Sequence, residues 1–203
     1  MTGMVSLIHR LSEKWKYHTA KDPLRKVIAE INRYECQVKI QGESFTVLAV
    51  GLKFKMALHG FLLYRFNLFK RLCAFEGGLF EIVDGQLIYQ IDQVKLRITT
   101  PEELFIAYEI FVQNAYRIEV PEDKYIVIDI GMNVGFASLF FARNESVEKV
   151  FAYEPFKPTF SNAVVNFSLN PSISGKIVPY NFGLGLGDEL LEVPYSHETK
   201  GKD

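Results

Sequence analysis

Cysteine, histidine and tryptophan are all scarce in this chain of 203 residues, and each shortage closes off a class of protein. The two cysteines, Cys36 and Cys73, have no CxxC spacing and no histidine beside them. That excludes a disulfide framework and a thiolate metal site, and it leads us to expect reduced thiols in a cytoplasmic protein. His9, His18, His59 and His197 are scattered and form no ligand motif, so no metal is expected. Long apolar runs are missing too. The most hydrophobic stretch, residues 45–64, is broken by Lys53 and Lys55, short of the roughly 18 uninterrupted residues that a spanning helix needs. Met4–Ile8 is too short for a secretory signal and lacks a small-residue cleavage site.

Net charge is also small, at -1, which gives no reason to invoke nucleic acid. Its distribution is uneven. Residues 1–75 carry 13 Lys+Arg against 5 Asp+Glu, a net +8, whereas residues 76–203 carry 10 against 19, a net -9. The basic part reads either as a solvated helical face or as a contact for an anionic surface. Residues 45–64, with Arg65, Lys70 and Arg71 nearby, read either as a packed core helix or as an amphipathic helix on a membrane surface.

Periodicity and turn chemistry set the expected organisation. Residues 1–34 read as helical and residues 36–50 as β-like around a Gln41-Gly42 turn; residues 52–74 read as helical, weakened at Gly60. Leu79–Val83 and Leu87–Ile91 flank Asp84-Gly85, a two-residue hairpin turn whose central positions both need positive φ. Val94, Leu96 and Ile98 alternate with Lys95 and Arg97, completing an antiparallel meander. These elements define an expected N-terminal region, residues 1–98, ahead of a second domain over residues 99–203. Thr100-Pro101-Glu102-Glu103 opens a helix with a cap, a first-turn proline and a capping-box glutamate. Leu104, Ala107, Tyr108, Phe111 and Ala115 then form its apolar stripe. Phe160, Ala163, Val164 and Phe167 mark a later helix over residues 157–169, stopped by Asn170-Pro171. Ile177–Tyr180 reads as a strand, Leu190–Val193 as another, and residues 196–203 as a polar tail.

Residues 126–136, Ile-Val-Ile-Asp-Ile-Gly-Met-Asn-Val-Gly-Phe, carry the chemistry. An apolar run ends on Asp129, Gly131 and Gly135 follow, and then comes a helical segment, Phe136–Ala142: strand, tight loop, helix. Ligands reach backbone where no side chain intervenes, and the N–H groups opening a helix favour negatively charged ligand groups. Glu154, nineteen positions after Gly135 and at the end of the β-like run Val147–Tyr153, is spaced to accept hydrogen bonds from ribose hydroxyls. The bland alternative is a strand-to-helix turn that holds nothing. The glycines do not spell GxGxxG, and an acidic strand end repels a pyrophosphate, which favours a cationic cofactor over a nicotinamide dinucleotide. Gly183, Gly185 and Gly187 read as turn residues.

Residues 100–195 resemble the FkbM-type family of S-adenosylmethionine-dependent methyltransferases. The likeness rests on Asp129-x-Gly131-x-Asn133-x-Gly135-Phe136, on Phe151-Ala152-Tyr153-Glu154-Pro155, on Asn166 and Asn170, and on Val178–Gly187. It implies an α/β fold with a Rossmann-like parallel sheet, S-adenosylmethionine as cofactor, and methyl transfer to an oxygen of a sugar or polyketide-like hydroxyl. On that resemblance Gly131, Asn133 and Gly135 shape the loop under the cofactor's methionine part. Asp129 holds the loop or the amino group, Glu154 takes the ribose hydroxyls, Asn181 meets the adenine edge, and Tyr116 and Phe136 line the pocket. The family's later Asp-x-Glu-Gly motif is absent, so about half of a catalytic domain is expected here. Three origins fit that expectation: a fragment, a truncated product, or a sheet completed by self-association or a partner. No His or carboxylate stands out as the acceptor's base, which leaves the catalytic residue unassigned. The competing expectation is a non-catalytic remnant that acts through the basic N-terminal region.

Overall fold

The structure is a computed structural model, and it describes residue 31, residues 38–121, residues 123–185 and residue 187. The expected helix over residues 1–34 (Ile31 apart), Cys36 and the Leu190–Val193 strand lie outside the described residues. The chain divides into two compact units, residues 1–115 and residues 116–203.

The first unit contains two antiparallel three-stranded sheets. In the first, β1 (Val38–Gln41), β2 (Ser44–Val47) and β3 (Leu52–Lys55) lie in chain order. The third strand corrects the helical expectation for residues 52–55. Leu52 and Phe54 alternate with Lys53 and Lys55, a period of two that puts both apolar side chains on one face. Phe54 is fully buried and stacks on Phe45 with ring centroids 5.0 Å apart. Three short helices follow: α1 (Met56–His59), α2 (Phe61–Tyr64) and α3 (Phe66–Ala74), interrupted at Gly60 and Arg65. Residues 45–64 are therefore not one continuous helix: strand residues come first, and only α1 and α2 are helical, with Met56, His59, Phe61, Leu62 and Leu63 buried. Among the described residues no helix is long and apolar enough to cross a membrane.

In the second sheet, β4 (Gly78–Val83), β5 (Gln86–Ile91) and β6 (Val94–Ile98) form the expected meander. Its first turn has Asp84 and Gly85 at φ of 49° and 76°, as the sequence requires. Aromatic rings join α3 to both sheets, with Phe69 5.9 Å from Phe54 and 4.8 Å from Phe80, and Phe80 4.6 Å from Tyr89. The buried Tyr89 hydroxyl donates to the Leu72 carbonyl at 3.2 Å. Burial pushes its pKa well up, so it remains a donor. This approach needs glycine at position 78, where a Cβ would sit 2.6 Å from the Leu72 oxygen.

Helix α4 (Pro101–Ala107) starts as its sequence dictates, with the Thr100 hydroxyl accepting from the Glu103 N–H at 3.1 Å. The Glu103 carboxylate reaches one residue further back than a capping box requires, accepting from the Thr99 N–H at 2.7 Å and its hydroxyl at 2.8 Å. The helix widens into a π turn, Tyr108–Val112, and stops there. Leu104, Ala107 and Phe111 are buried, but Ala115 is exposed, because Asn114 at φ 52° turns the chain out of the helix.

In the second unit, β7 (Tyr125–Ile130), α5 (Phe136–Ala142), β8 (Val147–Tyr153), α6 (Lys157–Ser168), α7 (Pro171–Ser174) and β9 (Ile177–Tyr180) alternate. The strands are parallel, in the order β7-β8-β9. Asn170-Pro171 ends α6 but also opens α7, since proline suits a first helical position. The buried side of α6 is Thr159, Ala163, Asn166 and Phe167, with Phe160 half-buried and Val164 exposed. Val127, Asp129, Val150 and Ala152 alternate onto the face that carries α5. On the opposite face, Ile126, Ile128 and Ile130 are 54%, 60% and 68% exposed. Register aligns Ile130 with Tyr153 and Tyr180, whose rings stack at 5.0 Å, so the open face is apolar across all three strands.

The burial of His59 predicts that the first unit is sensitive to acid. It is 4% exposed, its Nδ1 accepts from the Lys55 N–H at 3.2 Å, and its ring meets Phe54 edge-on. Burial lowers its pKa from 6.5; a backbone hydrogen bond with Gly85 opposes this, and the Lys55 charge adds to it. Below 6.5 the unfolded histidine takes up a proton that the folded one resists, so stability is lost as pH falls towards the depressed folded value. Denaturant midpoints are expected to drop between about pH 7.5 and about pH 5.5. His59→Asn, which keeps an acceptor but cannot titrate, is expected to flatten that slope. An unchanged slope would assign the acid sensitivity elsewhere.

Candidate functional site

The loop between β7 and α5 is built from backbone hydrogen bonds to the end of β8. The Gly131 and Met132 N–H groups both donate to the Tyr153 carbonyl at 2.9 Å, and the Gly135 N–H donates to the Met132 carbonyl at 2.8 Å. Three residues hold positive φ: Gly131 at 79°, Asn133 at 53° and Gly135 at 82°. Asparagine enters this region more readily than most residues, because its short amide bonds locally.

The two glycines do different work. A Cβ on Gly131 would meet nothing within 4 Å, so the backbone there lies open to an approaching group. On Gly135 it would lie 2.5 Å from Phe167 Cε1 and 3.2 Å from Ala163 Cβ. Gly135 is therefore a packing position that lets α6 close against the loop. Asn166 reinforces the contact, its Nδ2 donating to the Val134 carbonyl at 2.9 Å.

Glu154 lies at the end of β8 and is 5% exposed. One carboxylate oxygen accepts from the Asn133 N–H at 3.0 Å and the other from the Phe156 N–H at 3.0 Å. Its own N–H donates to the Tyr180 carbonyl at 3.0 Å, and its carbonyl accepts from Asn181 Nδ2 at 2.8 Å. The structure thus brings together Gly131, Asn133, Glu154 and Asn181 from three strand ends. Sequence spacing singled out Glu154 without revealing these backbone hydrogen bonds.

Asp129 is on the helix-covered face of β7, where its Oδ2 accepts from the Ser138 hydroxyl at 2.6 Å. Burial raises its pKa above 3.8, and the Ser138 hydrogen bond pulls the other way. Ser138 is a site residue that sequence reasoning missed, although a serine inside the apolar run Phe136–Ala142 was its signal. Phe136, the first residue of α5, is buried at 1% exposure, and Tyr116 is half exposed with its ring edge-on to Phe141. Asn133 Oδ1 is the distinctive atom: it is buried and has no hydrogen-bond partner. A buried acceptor left unmet costs about 1–3 kcal/mol, so this atom calls for a donor. Among the described residues no cluster of His, Cys, Asp or Glu is arranged to hold a metal ion.

The chain is similar to two fungal proteins named as methyltransferases. It is 27% identical over 121 residues to Methyltransferase 1 of Beauveria bassiana, covering 60% of this chain and 46% of that protein. It is 35% identical over 101 residues to Methyltransferase sdnD of Sordaria araneosa, covering 49% of this chain and 38% of the relative. The chain thus spans less than half the length of these curated relatives. No protein-family model matches it. Among solved structures, a putative transferase PH0793 from Pyrococcus horikoshii aligns at TM-score 0.34 and 21% identity, over 54% of this chain and 37% of that one. P. horikoshii TYW2 in complex with MeSAdo aligns at TM-score 0.31 and 18% identity, with the same coverage.

The contrast between the glycines predicts unequal costs. Gly131→Ala meets only the left-handed backbone penalty, about 1–2 kcal/mol. Gly135→Ala adds the collision with Phe167, for a total of about 2–5 kcal/mol. Urea unfolding is expected to rank them in that order, and Gly135→Ala/Phe167→Leu to recover part of the larger loss. Equal costs would mean that α6 does not press on this loop.

Proposed function

We propose that the second unit binds S-adenosylmethionine, as part of a methyltransferase that modifies an oxygen on a sugar or another small hydroxyl-bearing acceptor. The observation that carries this reading is the loop's combination of an open backbone at Gly131 and a partnerless buried acceptor, Asn133 Oδ1. The cofactor fits that demand, since its ammonium and ribose hydroxyls are donors. The relatives named as methyltransferases support the same reaction class.

On this reading Gly131, Asn133 and Gly135 form the seat of the methionine part, and Tyr116 and Phe136 line the pocket. Asp129 places a negative charge below the loop that favours the ammonium. Glu154, whose carboxylate accepts two backbone N–H bonds beside the loop, is the residue this reading assigns to the ribose hydroxyls. Asn181, exposed just after β9, is the residue this reading assigns to the adenine edge. When bound, the cofactor supplies an electrophilic methyl group on a sulfonium. What the chain contributes is position, the main requirement of an in-line displacement. The open face of Ile126, Ile128 and Ile130 further supports self-association of the chain through this face of the parallel sheet.

Glu154→Ala would strand two backbone N–H groups, so loss of binding in that variant would not isolate a ligand contact. Asp129→Asn is the better test, because the amide can still accept from Ser138 and carries no charge to bury. Calorimetry with the full chain is expected to give micromolar S-adenosylmethionine binding that strengthens as pH rises through the raised Asp129 pKa. Asp129→Asn is expected to weaken it about tenfold or more, the equivalent of roughly 1.4 kcal/mol. Binding of 5′-methylthioadenosine, which lacks the ammonium, should be unmoved by that substitution. Thermal melts add a sign: the raised folded pKa means protonated Asp129 is tolerated and ionised Asp129 penalised. Asp129→Asn should therefore melt at or above the unsubstituted chain near neutral pH, with the difference fading on acidification. Absent binding in the unsubstituted chain would favour the non-catalytic remnant.

Exposure of the isoleucine row predicts that Ile128→Lys leaves folding intact and lowers the sedimentation-derived mass at high concentration. An unchanged mass distribution would exclude this face as the contact.

A further inference from the structure

Two asparagines, Asn166 and Asn170, are 1% and 2% exposed, the one inside α6 and the other between α6 and α7. Burying an amide costs free energy unless its polar atoms are bonded, so each implies a fixed partner. Asn166 Nδ2 donates to the Val134 carbonyl at 2.9 Å, and Asn170 Nδ2 donates to the Asn166 carbonyl at 2.8 Å. The second bond follows from where α6 ends. The last carbonyls of a helix lack an intrahelical partner, and the Asn170 N–H goes to the Phe167 carbonyl at 3.0 Å. The Asn166 carbonyl takes the Asn170 side chain instead. Together the two amides form a relay from the end of α6 to the candidate loop.

What the relay fixes is the peptide between Val134 and Gly135. Glycine adopts either sign of φ with similar ease, so Gly135, at φ 82°, does not select the direction of that peptide by itself. Within the loop, the peptide's N–H donates to the Met132 carbonyl at 2.8 Å; from outside the loop, its carbonyl is held by Asn166. One residue earlier, the Asn133 N–H is held by Glu154 at 3.0 Å. Left-handed Asn133, with its partnerless buried Oδ1, is therefore bracketed by a carboxylate from the end of β8 and an amide from α6. Release of the Val134 carbonyl would leave the Glu154 clamp in place but free the following peptide to turn, and Oδ1 would lose its fixed direction.

We propose that Asn166, backed by Asn170, is a positioning residue that sets the affinity of this loop for its ligand, by holding Asn133 in the orientation that presents Oδ1. The inference rests on the cofactor reading given above and adds to it a residue that acts through the backbone of the loop. Its essential property is the donor: an ionised oxygen facing the Val134 carbonyl repels it, whereas an N–H or O–H bonds to it.

Asn166→Asp tests this, because the side chain keeps its size and donates only when protonated. Burial raises a carboxyl's pKa, so acidification from about pH 8 to about pH 5.5 should restore the lost donor. The ligand is 5′-methylthioadenosine, whose lack of an ammonium keeps the Asp129 charge out of the comparison, and the readout is calorimetry of the full chain. At the higher pH Asn166→Asp is expected to bind about tenfold more weakly than the unsubstituted chain, and at the lower pH to come within about twofold of it. The unsubstituted chain should change little between the two. Asn166→Leu, which has no donor at any pH, should stay weak at both. A folding role alone would return the melting temperature of Asn166→Asp on acidification without returning its affinity. That outcome, or undiminished affinity at the higher pH, would overturn the proposal. If Asn166→Asp is unfolded at the higher pH, Asn170→Ala carries the test: about threefold weaker binding is expected, and unchanged binding overturns the proposal. Failure of the unsubstituted chain to bind at either pH would overturn the cofactor reading and this inference together. Binding that the variants leave intact would remove this inference alone.

Discussion

The second unit depends on one buried carboxylate. Glu154 holds the Asn133 N–H with one oxygen and the Phe156 N–H with the other, so a left-handed loop residue and the start of α6 share a single anchor. Bonds from backbone N–H to an ionised carboxylate are roughly twice as strong as neutral ones, which compensates for taking a charge out of water. The same residue's main chain joins β9 through Tyr180 and Asn181. Loop, strand and helix therefore cannot shift independently, and any group seated on the loop meets a surface whose shape is already fixed. Such preorganisation is what a displacement reaction requires of its protein.

Local chemistry made parts of this arrangement legible in the sequence. Asp84-Gly85 demanded positive φ at both positions, and Thr100-Pro101 announced a capped helix start. The β7–loop–α5–β8 order followed from an apolar run, two glycines and a second apolar run. Where the sequence misled, long-range packing had overridden a local average. Leu52–Lys55 joined a helical forecast because its neighbours are helical, although its own alternation has a period of two. Ala115 fits a helical stripe, but Asn114 leaves the helix first. In α6 the buried side is set by what faces it: Phe167 seals the gap that Gly135 leaves, and Asn166 answers the Val134 carbonyl.

For the candidate site, spacing could select residue types but not directions. Glu154 could be chosen by its distance from the glycines, yet its hydrogen bonds to backbone N–H groups depend on a loop path that no spacing specifies. Asp129 reads in sequence as a strand-end acid near a ligand. In the fold it turns onto the helix-covered face and meets Ser138, nine residues later, because alternation along β7 puts Ile128 and Ile130 on the other side. That alternation also explains why the open face is apolar. Parallel strands are ordinarily covered on both faces, and the isoleucine row has the composition of a covered surface.

The placement of Asp129 also decides how its charge would act on a bound cation. In water, two unit charges 4 Å apart attract by about 1 kcal/mol, against about 4 kcal/mol at the effective dielectric typical of protein sites. The burial that raises the Asp129 pKa is therefore the same condition that strengthens its pull on an ammonium group. Without a cation, the charged form is disfavoured and the Ser138 hydroxyl offsets part of that cost. With a cation above it, ionisation becomes favourable, and part of the binding free energy goes into drawing the proton off. Affinity and proton release are then linked at this residue, so a ligand with no positive charge gains little from the acid. A strand-end carboxylate in open water would discriminate far less, because solvent would screen the difference.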